Sequence, residues 1–116
     1  MNNEAYTELR QFFAGYFHQF WKQVIDWKGK EPNFEGIVRL YLKETSPENV
    51  ERTSQLLEEL VNKRLDEEEL SDVIFRGLGA WIRPAGFGMT NQEWLETVLN
   101  ILKEKNIGDS PERIHY

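Results

Sequence analysis

There is no cysteine among these 116 residues. That excludes a disulfide-stapled scaffold, a thiolate nucleophile and a cysteine-ligated metal, and it suits a reducing compartment. Basic side chains are in deficit: 14 Lys and Arg stand against 20 Asp and Glu, a formal charge of −6. A nucleic-acid binder needs a cationic footprint, so that class is set aside. Long apolar runs are missing too. The longest uncharged stretch, Gln11 to Trp21, is interrupted by Gln11, His18 and Gln19 and falls short of the roughly 20 apolar residues of a membrane span. The start, Met1-Asn2-Asn3-Glu4, carries an acid where a secretion signal is basic. The expectation is a soluble, cytoplasmic protein with no membrane partner.

Other chemistry is absent as well. The two histidines are His18 and His115; His18 lies among aromatic residues and reads as a hydrogen-bonded structural residue, and His115 falls in a C-terminal tail. No local Ser-His-Asp arrangement stands out. Gly77-Leu78-Gly79 follows a helical segment and lacks the Lys and Ser/Thr of a phosphate cradle. Glu67, Glu68 and Glu69 are consecutive, so on a helix they point about 100° apart and do not converge on one ion. No metal or cofactor is expected.

What is present is helical periodicity. The length is that of one domain with one core, and a hydrophobic share of 40% is too high for a disordered chain. Tyr6, Leu9, Phe13, Phe17 and Phe20 step by three and four and share a face, widened by Phe12 and Tyr16. A helix this aromatic is expected centrally in the core, with Gly15 admitting a close neighbour. After the loop at Lys28-Gly29-Lys30-Glu31-Pro32, Phe34, Ile37, Val38, Tyr41 and Leu42 predict a second helix ending at Thr45. Ser46 as N-cap and Pro47 at the first position predict a third to about Arg64, with Val50, Thr53, Leu57, Leu60 and Val61 inward. Asp66 with Glu69 reads as a capping box opening a short fourth helix on Leu70, Val73, Ile74 and Leu78.

Residues 77–89 form a loop containing Trp81, Ile82 and Phe87. Thr90 with Glu93 opens a fifth helix carrying Trp94, Leu95, Val98, Leu99 and Leu102, with Lys103 and Lys105 at its C-terminus and Gly108 ending it. No segment alternates at period two for long enough to predict a strand. The fold class is therefore all-α: a compact bundle of about five helices over residues 1–108, followed by a tail, 109–116.

Charge is unevenly spread. Between residues 58 and 72 stand Glu58, Glu59, Asp66, Glu67, Glu68, Glu69 and Asp72 against only Lys63 and Arg64; elsewhere acids and bases nearly balance. The plain reading is a solvated helix start matched to the helix dipole. The sharper reading is a docking patch for a basic partner. Trp81 and Phe87 are expected to close the bottom of the core; alternatively one of them, with Arg83, is exposed as an interface anchor, since Trp and Arg are enriched at interfaces.

Gly15-Tyr16-Phe17-His18-Gln19 followed by Trp21 resembles the N-terminal signature of a family of contact-dependent growth inhibition (CDI) immunity proteins. The layout is similar further along: Leu9 to Phe12, Ser46-Pro47-Glu48, the leucines Leu56, Leu57 and Leu60, the acidic start Asp66 to Leu70, and Trp94-Leu95. The resemblance spans about residues 5 to 102. One position departs from the pattern, Phe20, where the family usually has Asp.

The resemblance implies a non-enzymatic inhibitor that binds the C-terminal toxin domain of an effector delivered by neighbouring bacteria. Many such toxins are nucleases with basic active sites, and an acidic inhibitor can set carboxylates where substrate phosphates would stand. It also implies that the aromatic block is scaffold and that recognition falls on polar faces and loops. The expected toxin-binding residues are Glu58, Glu59, Glu67, Glu68, Glu69 and Asp72, with Trp81, Arg83 and Phe87 as anchors. A helical adaptor for some other protein partner, and a small hydrolase using His18 and a carboxylate, stay open as rival readings.

Overall fold

A computed structural model describes residues 3–23 and 25–104, with side chains from residue 7 onward. It holds five α-helices: α1 Asn3–Tyr16, α2 Phe34–Glu44, α3 Pro47–Asn62, α4 Glu67–Asp72 and α5 Asn91–Leu102. There is no strand among the described residues. The expected ends Lys105 and Gly108, the tail 109–116 with His115, and the Tyr6 side chain lie outside what is described.

The helix starts follow the capping chemistry read from the sequence. Ser46 accepts from the Asn49 N–H at 3.3 Å, Asp66 from the Glu69 N–H at 2.8 Å, and Thr90 and Glu93 close a reciprocal box at 3.0 and 2.9 Å. Each satisfies backbone donors that a helix start leaves without intrahelical partners. Asn33, not singled out from the sequence, caps α2 by accepting from the Gly36 N–H at 2.7 Å.

The core is aromatic at its centre, and α5 is its hub, packing against α2, α3 and α4. Trp94 of α5 is fully buried. Phe13, Phe17 and Phe34 ring it at 5.8, 5.5 and 5.9 Å between centroids, distances at which tilted and edge-on rings attract. Phe12 joins from α1 and meets Tyr41 of α2 at 4.3 Å.

Two expectations for the first segment are corrected. The helix ends at Tyr16, so His18 and Phe20 are not on it. Beyond Tyr16 the chain turns, with Trp21 N–H to His18 O at 3.0 Å and Phe20 N–H to His18 Nδ1 at 3.0 Å. Once the helix stops, its period no longer decides which side chains point inward. Phe17 and Trp21 stay buried, whereas Phe20 is 57% exposed. Gly15 does not admit a close neighbour either: nothing lies within 4 Å of where its Cβ would be.

Gly36 is the glycine that makes room. A Cβ there would sit 2.9 Å from the Trp27 ring, whose indole N–H is held by Lys22 O at 2.8 Å. Gly36→Ala is expected to cost about 1–3 kcal/mol by overpacking. Gly15→Ala is expected to be neutral or to add up to about 1 kcal/mol through helix propensity. Paired urea melts of the two variants distinguish a packing glycine from an idle one.

Tyr41 and Thr53 share a buried hydrogen bond of 2.9 Å between α2 and α3. Burial pushes the Tyr41 phenol above its ordinary value, the Thr53 hydrogen bond opposes this, and the nearby Glu8 charge adds to it. A folded-state value raised above the unfolded one means that this stability is complete below about pH 10 and lost as pH rises through the folded value. Stability measured from pH 9 to 11 should fall, and Tyr41→Phe should remove part of that fall.

Candidate functional site

Residues 63–90 connect α3 to α5. Their backbone path decides which side chains are offered to solvent. Asp66 caps α4, and the three acids after it occupy the first turn, where the helix dipole favours negative charge. After Asp72 the helix widens into a π turn, Val73–Gly77, closed by Leu78 N–H to Val73 O at 2.7 Å. Such turns rotate the side chains that follow them and recur at functional sites. Here Ile74 stays in the core while Phe75 is half exposed.

The end of the π turn is tied to α1. The Arg10 guanidinium donates to Arg76 O at 3.3 Å and Gly77 O at 3.1 Å. Gly79 then passes α1 in a left-handed conformation, φ +73°, where a Cβ would lie 3.0 Å from Ala14. Only glycine combines that φ with that approach. Next, Trp81 N–H donates to Phe17 O at 2.7 Å.

Beyond Gly79 the chain is free of helix up to the short turn Pro84–Phe87, with extended backbone at Arg83, and its side chains alternate between inside and outside. Leu78, Ala80, Ile82 and Pro84 are buried; Trp81 and Arg83 face out. Trp81 therefore does not close the core: it is 52% exposed and packs on Phe75, with 5.3 Å between ring centroids and 61° between planes. Phe87 is 41% exposed and leans on Phe34 at 5.5 Å, so it covers the core only in part.

α4, the π turn and residues 82–85 enclose an open groove of about 800 Å³. Glu68, Glu69 and Asp72 line it together with Asp66; Arg83 and Arg76 face them, and Ile74, Phe75, Ile82 and Pro84 supply the apolar surface. Arg76 pairs with Asp72 at 3.4 Å on the same stretch of helix. The Glu69 amide, and then its carboxyl, hold the Asp66 carboxyl below its ordinary value. The hydrogen bond to Asp66 and the Asp66 charge hold Glu69 above its own. The groove carries net negative charge with one cation, Arg83, that has no ion pair among the described residues.

The remaining acids stand elsewhere. Glu67 turns away from the groove: its carboxylate accepts from the backbone N–H groups of Asn91 at 2.6 Å and Gln92 at 3.1 Å, and the Asn91 amide donates back to Glu67 O at 3.0 Å. It caps α5 from the neighbouring helix. Glu58 pairs with Lys103 at 2.7 Å across α3 and α5. Glu59 is exposed on α3. Neither Glu58, Glu59 nor Phe87 lines the groove. Phe75 does, and the sequence reading passed over it. Its signal was being a large apolar residue one step off the Leu70-Ile74 stripe.

A model of the CdiI immunity protein family matches residues 5–102. The chain belongs to that family. No curated protein and no solved structure matched it. CdiI immunity proteins are inhibitors of a CDI toxin and not enzymes, which disposes of the hydrolase reading. His18 Nδ1 accepts the Phe20 N–H in the turn after α1. Among the described residues no group of three His, Asp or Glu could hold a metal ion. No helix of the described residues is long and apolar enough to cross a membrane.

The cross-helix cap separates a capping carboxylate from solvent-facing ones in this CdiI protein. Glu67→Ala removes the acceptor for two α5 donors and should cost about 1–2 kcal/mol of stability. Glu68→Ala should change stability by less than about 0.5 kcal/mol. Thermal melts of the two variants make the comparison.

Proposed function

We propose that this CdiI protein protects its cell by seating the groove between α4 and residues 82–85 on a basic toxin domain, a nuclease, in the cytoplasm. One observation carries the reading: Glu68, Glu69, Asp72 and Arg83 meet in a single groove with an exposed aromatic pair at its rim. Carboxylates on a short helix can stand where substrate phosphates would lie on a nuclease. They speed encounter by long-range attraction, while Arg83 penalises a surface that is uniformly cationic. Glu67 acts indirectly, by holding α4 against α5. Glu58 and Glu59 lie outside the contact or at its polar rim, where charges add little affinity. A stable heterodimer of this kind buries roughly 1,200–2,000 Å² in total.

Co-expression with the cognate CDI toxin domain tests the reading. The wild-type chain should restore growth, co-purify with the toxin domain and stop its cleavage of RNA or DNA at one equivalent. Glu68→Lys with Glu69→Lys and Asp72→Lys should slow association at least about tenfold at low salt and flatten its salt dependence. Glu58→Lys with Glu59→Lys should have a much smaller effect. Equal loss from both sets would assign the effect to net charge instead of the groove. A toxin domain that cleaves no nucleic acid would remove the nuclease part.

A further inference from the structure

Phe75 and Trp81 are each about half exposed while their own neighbours Ile74, Ala80 and Ile82 are buried. Two large rings held together in solvent are informative in a way that one exposed apolar residue is not. Their placement is built. The π turn rotates Phe75 outward, Arg10 holds the carbonyls behind it, and the Trp81 N–H to Phe17 O bond sets the segment that turns Trp81 out. Edge-to-face packing at 61° leaves both rings about half exposed. Phe75 lines the groove together with Glu68, Glu69 and Asp72, and Trp81 packs on it from outside.

From this we infer that the pair is a seat for an arginine side chain of the partner, with the guanidinium stacked on a ring face and its N–H groups turned to the groove carboxylates. The inference rests on the toxin-binding reading above and names the chemistry of its contact. A planar, weakly hydrated cation suits both surfaces at once. It stacks on aromatic faces and donates in pairs to carboxylates, whereas an ammonium is a strongly hydrated point charge. An apolar partner would leave the carboxylates desolvated and unpaired, which is costly. A second copy of this chain is disfavoured for the same face, because a two-fold contact puts the same patch on both sides and sets acid against acid. Arg83 repels a further cation, so the arginine is expected on a segment that also brings a carboxylate or carbonyl to Arg83.

The test uses two capped peptides, acetyl-Gly-Arg-Gly-Glu-Gly-amide and its lysine counterpart, titrated into the purified protein while the indole N–H resonances are followed by NMR. Trp81→Phe assigns the Trp81 signal. The arginine peptide should shift that signal saturably, at several-fold lower concentration than the lysine peptide, and leave the Trp94 signal in place; Phe75→Ala should abolish the shift. Equal response to both peptides, or none at Trp81, overturns the seat. With the toxin domain, Phe75→Ala and Trp81→Ala should each weaken binding at least about tenfold while the protein stays folded with only a small drop in melting temperature, and Trp81→Phe should keep most of the binding. Unchanged affinity in both alanine variants sinks the proposal while leaving toxin binding intact. A wild-type chain that fails to bind the toxin overturns the function, and the peptide titration still decides the seat.

Discussion

The acidic groove of this molecule depends on where α4 lies, and α4 has only six residues. A helix that short has little intrinsic stability. It is held by a carboxylate that crosses to another helix: Glu67 takes two backbone donors at the start of α5. The bond serves both elements. It satisfies N–H groups that α5 cannot satisfy internally, and it brings negative charge to the positive end of that helix's dipole. α5 is an effective anchor because Trp94, Leu95 and Val98 are fully buried and its far end is tied to α3 through Lys103 and Glu58. The order of dependence runs from an aromatic core, to a fixed α5, to a fixed α4, and only then to the groove.

Much of the scaffold was legible because local chemistry and helical period agreed. The Ser46-Pro47 start, the Asp66 cap and the Thr90–Glu93 box are short-range patterns with one sensible structural outcome. The inward stripes of α2, α3 and α5 follow from spacing alone. The errors fall where the period changes. Phe20 continued the aromatic stripe on paper, yet α1 had already ended at Tyr16. Trp81 looked like core because an indole buries much apolar area. The alternation Leu78, Ala80, Ile82, Pro84 had already filled the inside, but with Trp81 read as inward it went unrecognised. Phe75 was hidden by the π turn, which has no reliable sequence signature.

The acidic run shows why a charge count is a coarse guide to a surface. Seven acids between residues 58 and 72 look like one patch in the sequence. In space they divide by what each touches. Asp66 and Glu67 are used as caps, Glu58 and Asp72 have cationic partners, Glu59 is exposed on α3, and Glu68 and Glu69 line the groove from the first turn of α4. Their effect on a partner differs accordingly. A capping carboxylate resists mutation because the helix needs it, whereas an exposed one contributes field and little stability.

The block from Gly15 to Trp21 is occupied with construction. Phe17 and Trp21 are buried, and His18 supplies the acceptor that closes the turn. None of these groups reaches the groove, so a change of partner need not disturb them. The block still bears on the surface beside the groove through one backbone atom. Phe17 O receives the Trp81 N–H at 2.7 Å, and that bond sets the phase of the segment that turns Trp81 and Arg83 outward and Ala80 and Ile82 inward. A slip of one residue there would reverse all four, burying Arg83 without a partner and exposing Ile82. Because the register is held by a main-chain carbonyl, side chains at positions 81 and 83 are free to vary.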